Sequence, residues 1–90
     1  MKLGYDPAKN AWNLRERGLS FDAVALLDWT TAIVRPDTRR NYGEARYQAL
    51  TDEFDGKPYV VVFTMREDRM WVISFRRAHA RERQTYGEKA

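Results

Sequence analysis

Tyr59-Val-Val-Val-Phe-Thr-Met-Arg66 is followed by Glu67-Asp68 and then by Arg69-Met-Trp-Val-Ile-Ser-Phe-Arg76. Both runs are rich in β-branched and aromatic residues, the composition of strands. The two acids between them mark a tight connection, so the pair reads as an antiparallel hairpin. Its second strand leads without a break into a charged helix from His79 to Glu88. The fold hangs on this hairpin, because the remaining elements must cover its faces.

Upstream, Asp55-Gly56 is the strongest turn signal in the chain, since a type I′ turn needs positive φ. It joins Tyr59–Arg66 to an earlier strand, Glu44 to Thr51. Thr31 to Arg35 is a further β-branched run closed by Pro36-Asp37, and the polar segment Asp37 to Gly43 is a loop. Lys2 to Tyr5 forms a short first strand. Asp6-Pro7 opens a helix, the carboxylate capping free N–H groups and proline entering the first turn. Ala8, Ala11, Trp12 and Arg15 continue it at helical spacing until Gly18 stops it. Ser20 caps a second short helix with apolar Phe21, Val24, Ala25 and Leu27. Both helices read as core cover, with Trp12 as a packing residue. The order β-α-α-β-β-β-β-α predicts an α+β fold. An antiparallel meander packs with two N-terminal helices and one C-terminal helix.

Two-residue turns at Asp55-Gly56 and Glu67-Asp68 set an expected register. Val61 then lies opposite Leu50 and Ser74, and Val62 opposite Ala49 and Ile73. One face gathers Tyr47, Ala49, Val60, Val62, Trp71, Ile73 and Phe75 beneath the helices. The other mixes Tyr59, Val61, Phe63 and Val72 with Glu44, Arg46 and Arg76.

Ninety residues make one domain, 1–90, with enough apolar residues for one modest core. The absence of cysteine excludes disulfides, thiolate zinc sites and thiol catalysis, and a single histidine leaves no transition-metal cluster. The expectation is therefore no metal and no cofactor. No apolar run approaches a membrane span, and Met1 to Asp6 holds no signal-peptide core, so the expected location is the cytoplasm.

The net charge is only +3, but it is unevenly spread. Between Arg66 and Arg83 stand Arg66, Arg69, Arg76, Arg77, Arg81 and Arg83 against Glu67, Asp68 and Glu82, a local excess of +3. Guanidinium forks match phosphate oxygens. His79 and Tyr86 add groups able to move a proton or stack on a base. The pattern points to RNA, and the competing reading is a solvated helix with ordinary charge pairs.

With these elements placed, the sequence resembles the BrnT family of bacterial type II toxins. The resemblance is carried by Tyr5-Asp6-Pro7-x-Lys9 with Asn13, Gly18-Leu-Ser-Phe21, Gly43-Glu44-x-Arg46-Tyr47 and Val60-Val-Val-Phe-Thr-Met-Arg66. Its most specific part is Ile73-Ser-Phe-Arg-Arg-Ala78 with Arg81-Glu-Arg83 and Tyr86. Three positions depart from the family pattern: Arg17 stands where histidine is usual, Phe75 where alanine is usual, and His79 where a small polar residue is usual. The resemblance implies a RelE-like fold and metal-independent cleavage of RNA. It also implies a BrnA-like antitoxin partner, with DNA contacted only indirectly through that antitoxin.

Such cleavage turns the ribose 2′-OH on the adjacent phosphate. It needs a base, cations for the phosphorane charge and an acid for the leaving oxygen. Arg76 is the foremost candidate for charge stabilisation, its alternative being a salt bridge to a nearby carboxylate. Arg46 and Arg66 are further cationic candidates, and Glu44 is either a general base or their ion-pair partner. His79 is a proton carrier or a surface residue; Tyr86 stacks, donates a proton or docks the helix. Arg77, Arg81 and Arg83 read as phosphate contacts, as an antitoxin surface, or both. Two other functions compete with a ribonuclease toxin. One is a non-catalytic module acting with a DNA-binding antitoxin in autoregulation, the other a general RNA-binding domain.

Overall fold

The computed structural model describes the backbone of residues 1–52 and 57–89, with the side chains of 1–51 and 57–84. The strands are β1 (Leu3–Tyr5), β2 (Asp28–Pro36), β3 (Tyr47–Asp52), β4 (Tyr59–Arg66) and β5 (Arg69–Arg77). The helices are α1 (Pro7–Arg17) and α2 (Ala80–Lys89), with a 3-10 helix at Phe21–Leu26. One sheet holds all five strands in the order β1-β5-β4-β3-β2. The meander from β2 to β5 is antiparallel as expected. β1 adds to the edge of β5 in parallel and makes the sheet mixed. That pairing needs Gly4: a Cβ there would come within 2.7 Å of the Trp71 ring.

Local signals act where the sequence places them. The Asp6 carboxylate accepts from the Ala8 N–H at 2.9 Å, Pro7 begins α1, and Gly18 ends it at φ 71°. Ser20 caps the next element by accepting from the Asp22 N–H. That element winds as a 3-10 helix, in which residues three apart align. Phe21, Val24 and Leu27 follow this spacing, and all three are buried against the sheet. Glu67 takes the left-handed φ of 57° that the β4–β5 hairpin demands. The Asp55-Gly56 turn lies outside the described residues.

Two expectations are corrected. β3 starts at Tyr47, not Glu44: Asn41 accepts from the Gly43 N–H in a turn, and the Ala45 carbonyl accepts from the Thr64 hydroxyl at 2.6 Å. The register also differs. From Arg66↔Arg69 to Phe63↔Val72 it runs as the tight turn requires, and then a bulge intervenes at Ile73. Val62 therefore faces Ser74 and Val61 faces Phe75, one residue beyond expectation. Across the other side of β4, Val61 lies opposite Ala49 and Val62 opposite Gln48.

Because side chains alternate along a strand, these one-residue changes invert faces. The core beneath the 3-10 helix holds Ala49, Tyr59, Val61, Phe63, Val72 and Phe75, packed with Phe21, Val24 and Leu27. Val60 lies in a separate cluster with Leu50 and Ala78. The bulge lets Val72 and Phe75, three residues apart, both join the core. Strict alternation forbids that. Tyr59 and Phe75 touch at 5.2 Å between ring centres, and Tyr5 meets Phe21 edge-on at 5.6 Å.

A burial contrast tests this core. Phe21→Ala should cost about 3–5 kcal/mol, while Leu26→Ala, at a side chain 68% exposed, should stay within about 0.5 kcal/mol. Urea unfolding of the two variants measures both. Equal losses would show that the 3-10 helix packs by a different face.

Candidate functional site

β5 delivers Arg76 and Arg77 to the start of α2, and the first turn of that helix holds them in different ways. The Arg76 guanidinium donates to both oxygens of Glu82, at 2.8 and 3.0 Å, with each side chain only 20% exposed. Glu82 also accepts from the His79 N–H at 2.7 Å, reaching back from the third helical position to cap α2. The Arg76 fork chiefly, helped by that N–H and opposed by partial burial, holds the Glu82 carboxyl at about 2. Arg83 donates to the Ala78 carbonyl at 3.0 Å. Arg77 lies over the Tyr59 ring at 5.4 Å, and the exposed His79 imidazole has Nδ1 3.7 Å from Glu82. Arg81 is also exposed.

Across from these stands the end of α1. Asn13 is 1% exposed and its amide donates to the Leu19 carbonyl at 2.9 Å and the Phe75 carbonyl at 2.8 Å. Its oxygen accepts from Arg17, whose same nitrogen donates to Ser74 Oγ at 3.0 Å. The Arg17 guanidinium also lies 5.0 Å from the centre of the Trp12 ring. Among the described residues no carboxylate reaches Arg17, so its positive charge is locally uncompensated. Arg17, Leu19, Arg76, Arg77 and His79 line one open groove. Lys9, Trp12, Asn13, Arg17, Ile73 and Ser74 line a second. Arg17 joins the two, and neither lining contains an acid.

The expected site residues separate into two places. Arg76, Arg77, His79, Arg81 and Arg83 gather at the start of α2. Glu44, Arg46 and Arg66 gather at the other end of β4. There Glu44 pairs with Arg46 at 3.3 Å and with Arg66 at 3.5 Å. Arg46 stacks on Tyr42 at 4.1 Å and Arg66 on Trp71 at 4.5 Å. Val60 pairs with Arg76 and Arg66 with Arg69, so the groups are six residues apart along β4, or about 20 Å. A common face for Glu44, Arg46 and Arg76 is thus corrected: the first two belong to the loop before β3. The Tyr86 side chain lies outside the described residues.

Arg17 and Trp12, which line these grooves, were not among the expected site residues. Trp12 is 46% exposed and does not serve as core cover. The available signal was the stripe Lys9, Trp12, Asn13 and Arg17, spaced to share one side of a helix. Asp37 was read only as loop. Its carboxylate is buried, accepts from Arg39 twice at 2.8 Å and from Tyr42, and thereby fixes the loop carrying Arg46's aromatic platform. The Arg39 fork holds Asp37 at about 2 against the penalty of burial. Among the described residues no group of three His, Cys, Asp or Glu could hold a metal, and no helix is long and apolar enough to cross a membrane.

Residues 5–82 match the family model described as the ribonuclease toxin, BrnT, of type II toxin-antitoxin systems. This chain belongs to the BrnT family. It is thus a toxin ribonuclease by class, and its family implies an antitoxin partner. No curated protein matches it. Among solved structures it is similar to the 1.1 Å crystal structure of the Brucella abortus ribonuclease toxin, BrnT. The identity is 24% and the TM-score 0.69, over 88% of this chain and 97% of the other. That likeness establishes a shared α+β fold. Within the BrnT framework, the groove where α1, β5 and α2 meet contains Arg17 where histidine was expected.

Acid should expose both depressed carboxyls. Asp37 and Glu82 lie near 2 when folded, against about 3.9 and 4.3 when unfolded. The unfolded chain therefore takes up protons first, and stability present above about pH 5 drains away as pH falls toward 2. Urea midpoints from pH 7 to 2.5 should fall less steeply in Asp37→Asn and Glu82→Gln, each starting from lower stability at pH 7. A wild-type slope in both variants would contradict these pairings.

Proposed function

We propose that this BrnT-family chain is a RelE-like, metal-independent endoribonuclease. Residues 1–90 act as one cytoplasmic toxin domain that cuts RNA through 2′-OH attack. The observation that carries the reading is Arg17, an uncompensated guanidinium held by neutral partners beside Arg76, Arg77 and His79. A base removes the 2′-OH proton, the resulting oxyanion attacks phosphorus, and the bond to the 5′ oxygen breaks as that oxygen gains a proton. The products are a 2′,3′-cyclic phosphate and a 5′-hydroxyl.

Arg17 carries the phosphorane charge in this scheme, because its partners do not neutralise it and it is already oriented. From sequence alone this task fell to Arg76. With its fork taken by Glu82, Arg76 instead positions the α2 start and with it His79, the proton carrier. Arg77, Arg81 and Arg83 hold flanking phosphates. Glu44, Arg46 and Arg66 lie about 20 Å away along β4 and brace their own loop and hairpin. A BrnA-like antitoxin neutralises the toxin by covering the groove, and DNA is engaged only through that antitoxin. The chain has no cysteine and a single histidine, and among its described residues no three His, Cys, Asp or Glu stand together as a metal-holding group. That supports a mechanism centred on arginine.

Purified protein should cleave single-stranded RNA in excess EDTA. Arg17→Ala should lower kcat about 10²-fold or more, and Arg17→Lys should restore part of it, with circular dichroism reporting the fold. Activity abolished by chelation and restored by magnesium, or unchanged in folded Arg17→Ala, would overturn the mechanism. Arg76→Ala is a weaker test than the sequence implied, since it strands the partly buried Glu82 and loosens the α2 cap.

The cationic helix start makes a separate prediction. Neutralising Arg77, Arg81 or Arg83 should lower RNA affinity and flatten its salt dependence by about 0.7 for each single-strand phosphate no longer neutralised. Added antitoxin should displace the RNA. A ternary complex with undiminished RNA affinity would rule out competition at this surface.

A further inference from the structure

Trp12 projects from α1 with nearly half its surface in solvent, on a helix whose outward residues are otherwise mainly polar. A lone exposed apolar side chain carries no message; the surroundings of this one do. Arg17 lies against the ring at 5.0 Å, and Lys9 stands one turn away on the same side of the helix. The groove beside them is completed by Ile73 and by Ser74, whose Oγ accepts from Arg17 and so keeps its own hydrogen to donate. Neither of the other two tryptophans is exposed. Trp29 donates its indole N–H to the Val24 carbonyl, and Trp71 lies beneath Arg66.

We propose that Lys9, Trp12 and Arg17 form a nucleotide subsite beside the cleavage groove, in which Trp12 stacks on one unpaired base of the RNA and the cations hold its phosphates. The inference rests on the groove being the RNA site. Arg17 lines both concavities, so a strand with its scissile phosphate at Arg17 reaches the Trp12 groove with the next nucleotide. An aromatic face and cations are the two components of single-strand binding, and stacking tolerates any base. The linings hold Lys9, Arg17, Arg76 and Arg77 and no acid, which matches a polyanion. A duplex cannot use the subsite, because its bases are already stacked.

The test uses 2′-O-methyl oligonucleotides, which bind without being cut. Titrating wild type with an unpaired octamer should quench tryptophan fluorescence. Trp12→Ala should bind that octamer about tenfold more weakly, while Trp12→Phe should stay within about twofold of wild type and lose most of the quenching. A blunt duplex of the same sequence should bind wild type and Trp12→Ala alike. With cleavable RNA, Trp12→Ala should also shrink the advantage in kcat/KM of an octamer over a dinucleotide. Wild-type octamer affinity in Trp12→Ala, with cleavage intact, would overturn the subsite alone. A wild-type protein that neither binds nor cleaves RNA would overturn the ribonuclease groove itself. An effect of Trp12→Ala on antitoxin affinity but not on octamer affinity would assign the surface to an acidic protein partner and reject the RNA subsite.

Discussion

The side-chain amide of Asn13 ties the parts of the molecule together. β1 pairs with β5 only from Met70 to Val72, so the Phe75 carbonyl lies beyond the reach of that edge strand. A buried carbonyl without a donor costs on the order of 1–3 kcal/mol. Asn13 supplies the donor, uses its other hydrogen on the Leu19 carbonyl and offers its oxygen to Arg17. One residue thereby joins α1 to β5, closes the turn after α1 and orients the uncompensated cation of the groove. Asn10 adds a parallel tie, its oxygen accepting from the Phe21 N–H where the 3-10 helix begins.

The bulge at Ile73 is the second constraint. It resets the alternation of β5, so Phe75 turns into the core beside Val72 while Arg76 turns toward Glu82. Without it the bulky Phe75 would face the α2 side, and Arg76 would point into the apolar layer. The bulge also sets Ser74 where Arg17 can reach it. β4, central in the sheet, is buried from Tyr59 to Thr64 because the 3-10 helix covers one face and the Leu50–Val60–Ala78 cluster occupies the other.

Charge compensation distinguishes the arginines more sharply than position does. Arg76 spends its fork on Glu82, Arg39 spends its own on buried Asp37, and Arg46 and Arg66 share Glu44. Each of these cations has a carboxylate within 3.5 Å to answer its charge. Among the described residues Arg17 is held by an amide, a hydroxyl and an indole and by no carboxylate, which orients it while leaving its charge available to an anion. An arginine-rich segment thus presents less usable positive charge than its count implies. The groove draws a further cation, Arg17, from α1.

The sequence by itself determined the elements and their order. Asp6-Pro7, Gly18 and Ser20 act on N–H and C=O groups within a few residues, and β4 follows its apolar run from Tyr59 to Arg66. The family motifs were legible for the same reason, being contiguous. Tertiary structure decided the register, the faces and the membership of the site. A one-residue slip inverts a strand's two faces while leaving its local signals unchanged, so the bulge at Ile73 was invisible. Whether a guanidinium is neutralised depends on a carboxylate brought near by folding. The sequence left Arg76 between a charge stabiliser and a salt bridge, and folding supplies the salt bridge; Arg17 read only as a departure from the family pattern, yet it joins two grooves. Trp12 read as core because helical spacing gives the direction of a side chain but not what stands opposite it.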